Sequence, residues 1–424
     1  MAFSVNNENN YIRYRKIKAK LNRLCFHLCR LFPIDKKLVS VCTFEGKGGF
    51  GCNPKYVVEK LHEKDSNIKF VWFLNRNAMD KPMPDYVRKA PNTLWSRAYW
   101  LSRSKVWIDN YRKPYGTVKC KGQYYLNTNH YTLGIKSVGL WRGEGFSKMA
   151  YLVSKNDSDM IDDLITDSTF CDLVTPKGLI YEGHCLKTGA PRCDVLYGDR
   201  AWIKKRYRKE NNLPENAKIL MFAPTFREGA KDGKRFVYSQ EWSIDFKRML
   251  DNLEKKFGGT WYICFRVHPQ LAPSFEEYRN SDIDSRIINE SLADDLYELL
   301  AAMDAYITDY SSACFEAGFA KMPVFIYADD IKQYQSDRGS LYWNMTSDSL
   351  NNVHSNPEIL AGVDWKFPFS IATNNDELER NILAFDQDGY SEELEAFHNE
   401  IGLVFNGKAS ENVAEKVLEV MNIK

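Results

Sequence analysis

The 424-residue sequence predicts a two-part α/β protein: two doubly wound, Rossmann-like halves facing a cleft, with a basic helix ahead of them. Three observations predict it. Short apolar, strand-like runs alternate with helical stretches, the rhythm of a parallel sheet covered on both faces. The rhythm restarts near residue 195, and a chain of this length suits two or three domains of about 100–200 residues each. The segments richest in reactive side chains follow directly after predicted strands, where open α/β sheets bind ligands. The divisions drawn on this basis are 1–35 for a polar tail and the basic helix, 36–195 for the first half and 196–424 for the second.

Residues 1–10 are polar and rich in Asn. Over 11–32, Arg13, Arg15, Lys16, Lys18, Lys20, Arg23 and Arg30 alternate with Ile17, Leu21, Leu24, Leu28 and Leu31, whose spacing of four, three, four and three is helical. A basic amphipathic helix can lie on an anionic membrane surface, each cation adding on the order of 1 kcal/mol of attraction. The plain alternative is a helix packed on its own domain with a solvated basic face.

Leu38–Phe44 then predicts a strand, and the glycine-rich turn Lys47–Gly51 lacks the GKS or GKT ending of a phosphate-binding P-loop. Asn53–Glu63 predicts a helix with Asn53 as its cap and Pro54 in its first turn. Lys69–Leu74, Lys105–Asp109 and Tyr124–Asn127 are the next strands. The second half brings helix Asp199–Asn211, strand Lys218–Ala223, helix Trp242–Lys256, strand Trp261–Val267 and helix Leu292–Ala302. Strands Ala305–Thr308 and Val324–Tyr327 follow, then a last helix, Glu411–Met421, with Ser410 as its cap.

Composition narrows the function. Against 58 basic residues stand 56 acidic ones, so no global field argues for nucleic acid. The ten cysteines form no CxxC pair and no zinc spacing, which fits reduced cytosolic thiols rather than a metal site. No stretch approaches the roughly 20 apolar residues of a spanning helix and no secretory signal is visible, so a cytoplasmic location is expected. The acidic run Asp157, Asp159, Asp162 and Asp163 reads as a solvated helix face.

Four motifs carry chemistry. Thr308-Asp309-Tyr310-Ser311-Ser312 joins a strand to a helix, where unpaired N–H groups and hydroxyls suit a phosphate; a simple helix cap is the alternative. Arg266-Val267-His268-Pro269 ends a strand, and its two-residue period puts Arg266 and His268 on one side. Ala223-Pro224-Thr225-Phe226-Arg227 offers Thr225 and Arg227 to phosphate oxygens, or forms a surface loop with a paired Arg. Asn129-His130-Tyr131-Thr132 follows the fourth predicted strand, and His130 is there either a proton shuttle or a structural imidazole. Trp141-Arg142-Gly143 is conspicuous without a role.

Taken together and in this order, the motifs resemble the CDP-glycerol glycerophosphotransferase family, which includes teichoic-acid primases and polymerases and CDP-ribitol relatives. Phe44-Glu45-Gly46-Lys47-Gly48 with Asn53-Pro54-Lys55, Gly189-Ala190-Pro191-Arg192-Cys193-Asp194 and Gly407-Lys408-Ala409-Ser410-Glu411 add to the likeness, which spans most of 38–420. It implies a GT-B-like fold, a CDP-glycerol or CDP-ribitol donor held by the second half, a lipid-linked polymer acceptor and attachment at the inner membrane face. It also implies His130 and His268 as catalytic residues, with Arg266, Thr225, Arg227, Asp309, Ser311, Ser312 and Arg192 binding substrate. No cofactor is specified, and a divalent cation stays open. Where the family has Thr-Trp-His-Gly-Thr-Pro, this chain has Thr128-Asn129-His130-Tyr131-Thr132-Leu133, a departure at three of six positions. A nucleotide-sugar glycosyltransferase of the same architecture, or a non-catalytic membrane-docked scaffold, are the alternatives.

Overall fold

Alternate residues of the central strands face opposite hydrophobic layers, the signature of a sheet covered on both sides. In one strand Val39 and Val41 join one layer while Leu38 and Cys42 join the other; in the next, Phe70, Trp72 and Leu74 oppose Val71 and Phe73. The structure is a computed structural model that describes residues 5–225, 227–231, 234–238, 243–267, 284–338, 340–346, 350 and 352–422.

The chain runs α1 (Val5–Cys29), β1 (Asp35–Cys42), α2 (Cys52–Lys64), β2 (Lys69–Leu74), β3 (Val87–Pro91), α3 (Leu94–Arg103), β4 (Ser104–Asp109) and β5 (Tyr124–Asn127). It continues with α4 (Lys148–Ser158), β6 (Asp163–Thr166), α5 (Thr169–Leu179) and β7 (His184–Lys187). A 3₁₀ turn, Pro191–Leu196, leads to α6 (Ala201–Glu210), β8 (Lys218–Phe222), the antiparallel pair β9 (Arg227–Lys231) and β10 (Lys234–Tyr238), α7 (Phe246–Phe257) and β11 (Trp261–Phe265). Then come β12 (Ile287–Asn289), α8 (Leu296–Ala302), β13 (Ala305–Thr308), α9 (Ala313–Phe319), β14 (Val324–Tyr327) and α10 (Ile331–Arg338). The chain closes with β15 (Ser370–Ala372), α11 (Asn375–Ala384), α12 (Gln387–Glu400) and α13 (Ala409–Met421).

The first sheet has the order β3-β2-β1-β4-β5-β6-β7 and the second β12-β11-β8-β13-β14-β15. Every pairing within them is parallel. Each sheet winds out from its first strand and then back past it, the Rossmann order. The strand order therefore reverses between β1 and β4 and again between β8 and β13, and such switch points open crevices at the carboxyl ends of the strands.

The expected two-lobed architecture is present, but the lobes are not divided at residue 195 alone. Val413, Ala414, Val417 and Met421 of α13 pack into the first sheet's core with Val57, Val58 and Leu61 of α2. The largest apolar cluster joins Leu133, Ile135 and Phe170 from the first half to Tyr306, Phe315, Trp343 and Phe367 from the second. Two predicted caps also change. Asn53 lies inside α2, behind the N-cap Gly51, and α13 is capped from a distance by Asp194, whose carboxylate accepts the N–H groups of Ala409 and Ser410 at 3.0 and 2.7 Å. The glycine-rich turn serves an approach between lobes: a Cβ on Gly49 would strike the Asp294 carboxylate at 2.5 Å and one on Gly51 the Asp294 carbonyl at 2.9 Å.

Candidate functional site

His130 follows β5 by way of Asn129, whose φ of +53° turns the chain sharply out of the sheet. Asn53 fastens that turn: its side-chain N–H groups donate to the carbonyls of Thr128 (2.7 Å) and Asn129 (3.1 Å), while its oxygen accepts from the Arg192 backbone N–H. The imidazole is half-buried, edged by Phe44, Tyr111 and Tyr131 at ring-centroid distances of 5.6, 5.3 and 5.1 Å. Its Nδ1 lies 2.9 Å from the Asn110 carbonyl oxygen. A carbonyl only accepts, so Nδ1 carries the proton, and in the neutral ring Nε2 carries a lone pair. Burial, helped by the positive charges of Arg192 and Lys136, pushes the pKa down to about 4 against the pull of the Asn110 carbonyl. The ring is therefore neutral at pH 7 and able to take a proton.

A cavity of about 390 Å³ opens against this imidazole, walled by Asn110, Tyr111, Arg112, Asn127, Arg142 and Asp157 among others. Asp157 corrects the solvated-face reading of the acidic run. Its buried carboxylate accepts the Lys113 N–H at 2.8 Å and the Tyr125 hydroxyl at 3.1 Å, and burial pushes its pKa up to about 7. Asp163 is also buried, accepting from the Tyr124 hydroxyl at 2.5 Å. Arg142, conspicuous in the sequence without a role, is brought by the fold to the same cavity as His130.

In the second lobe, Thr225 and Asp309 stand at the ends of β8 and β13, on either side of the switch point. One Asp309 carboxylate oxygen accepts from the Thr225 N–H and hydroxyl, both at 2.8 Å, and from the Tyr310 N–H at 2.5 Å. The other accepts from Arg227 at 2.9 Å. Arg227 is forked onto Asp330 (2.7 and 2.9 Å) and lies over the stacked rings of Tyr310 and Tyr334. Burial opposes its charge, yet the two carboxylates raise its pKa above the ordinary guanidinium value. Asp309, Thr225 and Arg227 thus spend their polar groups on one another and shape the loop. Ser311 and Ser312 remain half-buried at the start of α9, and the Ser312 hydroxyl makes no capping bond.

Two further expectations change. Arg192 is 1% exposed and ion-paired with Glu316, itself 0% exposed, so it cannot reach a substrate. Glu316 also accepts from the Thr132 hydroxyl (3.2 Å) and the Tyr297 hydroxyl (2.6 Å), tying α9 to the segment just past His130. Arg266 donates to the carbonyls of Glu290 and Ala293 (2.8 and 3.0 Å). It thereby braces the loop whose Asp294 and Asp295 pair with Lys81 and Lys55 of the first lobe. His268 lies outside the described residues. Among the described residues, no group of three or more His, Cys, Asp or Glu could hold a metal ion, and no helix is long and apolar enough to cross a membrane.

Two Rossmann-ordered sheets sharing an interlobe core, with a base-competent imidazole at the end of a strand, define the two-lobed, GT-B-like α/β class. Within that class the chain belongs to the CDP-glycerol:poly(glycerophosphate) glycerophosphotransferase family, whose sequence pattern matches residues 24–419. It is 28% identical over 388 residues to the teichoic acid poly(glycerol phosphate) polymerase of Staphylococcus epidermidis, covering 88% of this chain and 50% of that one. It is 27% identical over 331 residues to the teichoic acid glycerol-phosphate transferase of Staphylococcus aureus, covering 75% and 80%. A structure of the wall teichoic acid polymerase TagF matches with a TM-score of 0.74 at 26% identity, covering 99% of each chain. The chain spans about half the length of the poly(glycerol phosphate) polymerases of S. epidermidis and Bacillus subtilis that it matches.

Proposed function

We propose that the protein transfers a polyol phosphate, glycerol phosphate or ribitol phosphate, from a CDP-linked donor to a hydroxyl of a lipid-linked or polymeric acceptor, releasing CMP. The observation that carries this reading is His130, neutral, with its proton held on Nδ1 by the Asn110 carbonyl and a cavity beside the ring. The first lobe takes the acceptor and the second the donor. As the acceptor oxygen attacks the polyol-bearing phosphorus, its proton passes to Nε2 of His130. The new O–P bond forms as the bond to the bridging oxygen breaks, and CMP departs with that oxygen. Ser311 and Ser312 donate to the donor's phosphates, on a loop shaped by Asp309, Thr225 and Arg227. His268 stabilises the leaving group. Catalysis of this kind is mostly placement and charge stabilisation.

Attachment to the cytoplasmic face of a membrane belongs to the same proposal. Helix α1 buries Ile12, Ala19, Cys25, Phe26 and Cys29 against the body, so the predicted leucine row is a second apolar face. Ile17, Leu21, Leu24 and Leu28 of this helix, with Leu31 just past its end, are 48–85% exposed among basic residues. Such a row suits the boundary of an anionic bilayer. The test of the reaction is nucleotide release, CMP from CDP-glycerol or CDP-ribitol and UDP from a UDP-sugar, each with a polyol-phosphate acceptor. Release from a CDP-polyol alone is expected; turnover of the UDP-sugar alone would replace this reading with a glycosyltransferase.

A further inference from the structure

A second cavity, of about 340 Å³, lies at the switch point of the first sheet, beyond the ends of β1 and β4 at Cys42 and Asp109. Its walls carry Arg15 of α1, Arg97 of α3, Arg112 and Lys113, against the acidic Glu45 and Asp109. Lys113 and Asp109 are buried and pair with each other at 2.6 Å, which cancels their charges locally. The three arginines form no ion pair with a carboxylate among the described residues. Arg97 spends Nη1 on the backbone and side-chain oxygens of Asn92, both at 3.0 Å, and Arg112 spends Nη1 on the Ser154 hydroxyl at 3.1 Å. The Nε of each is buried with no hydrogen-bond partner. Guanidinium groups that line a cavity without a carboxylate partner favour an anion there, because a phosphate can accept from their remaining N–H groups.

Chemistry and position narrow the anion. Phe73, Leu101, Met149 and Val153 line the same space, which suits short carbon segments between charges. Arg112, Ser147 and Ala150 are walls of this cavity and also of the one against His130. A chain entering past α1 would therefore pass the arginines before its end met the imidazole. We propose that Arg97 and Arg112 bind a phosphodiester of the acceptor chain and so select polyanionic acceptors. This inference rests on the transferase reading for the acceptor's identity.

The test uses the full chain with Arg97→Gln and Arg112→Gln combined, and Arg112→Gln alone as a milder change whose hydrogen bond to lose is the one to Ser154. Calorimetry with a short glycerol-phosphate oligomer and no donor reads the site without the reaction. At least a tenfold loss of affinity in the double variant is expected, with CDP-glycerol affinity and melting temperature unchanged. In turnover, the KM for the oligomer rises by a similar factor while kcat holds, and an uncharged polyol of equal length is used equally poorly by both proteins. Unchanged oligomer affinity in a folded variant overturns the proposal. So does loss of binding to phosphatidylglycerol vesicles with oligomer affinity intact, which would assign the arginines to a membrane headgroup. If no CDP-polyol releases CMP yet oligomer binding stays arginine-dependent, the transferase reading falls and this site stands. Normal CMP release with arginine-independent binding has the opposite meaning.

Discussion

His130 shows how one residue's environment sets its chemistry. Its folded pKa of about 4 lies below the ordinary imidazole value of 6.5. Between those values the unfolded chain binds the proton more readily, so the contribution of this residue to stability is complete above pH 6.5 and is lost as pH falls toward 4. An NMR titration of the His130 ring should therefore show a midpoint near 4, and the acid limb of kcat/KM assigned to this base should fall well below pH 6. A midpoint near 6.5 would contradict the burial argument. In the sequence it stood out as a histidine after a strand, and its catalytic role came from the likeness of Thr128–Leu133 to the family motif. The partner that fixes its tautomer, the Asn110 carbonyl, is a backbone atom with no sequence signature. Arg192 illustrates the opposite limit: its motif was legible, but its partner Glu316 is 124 positions away, so a buried ion pair passed for a substrate contact.

At the scale of elements, legibility followed apolar content. Lys69–Leu74, Tyr124–Asn127, Ala305–Thr308 and Val324–Tyr327 were read end to end because each is a bounded run of β-branched and aromatic residues. Strands β3, β6, β7, β9, β10, β12 and β15 went unread: Val87–Pro91 and His184–Lys187 are half polar or exposed, β9 and β10 are rich in Arg and Lys, β12 and β15 have three residues each, and β6 begins at Asp163, inside the run taken for a helix face. Helix α1 was read from the face that stays in solvent, and the face that anchors it to the body was missed. That division makes the exposed leucines separable from folding. Replacing Leu21, Leu24 and Leu28 together by Ser should lower binding to anionic vesicles roughly 100-fold, about 1 kcal/mol for each partly buried leucine. The melting temperature should barely move. Retained vesicle binding, read by co-sedimentation, would remove α1 as the docking element.

The whole molecule is held as two lobes around a charged, buried node. Glu316 on α9 meets Arg192 in the 3₁₀ turn and Thr132 just past His130, so the serine turn and the histidine turn share one brace. Removing one partner strands a buried charge, so Arg192→Met should destabilise the protein by about 3–5 kcal/mol in denaturant unfolding. Arg192→Met with Glu316→Leu should recover most of that loss, and equal loss in the single and double variants would show that the pair is not coupled. The two-lobed fold was readable because each sheet repeats the same strand rhythm. The crossing of α13 back to the first lobe was not, since its capping partner Asp194 lies far upstream.

The most direct measurement is CMP release from the CDP-polyol donor by the purified protein and by its His130→Ala variant at pH 7. General-base loss predicts a fall of about 100- to 10,000-fold in turnover, with donor affinity unchanged. A variant that turns over within a few-fold of the parent would show that the acceptor proton leaves by another route.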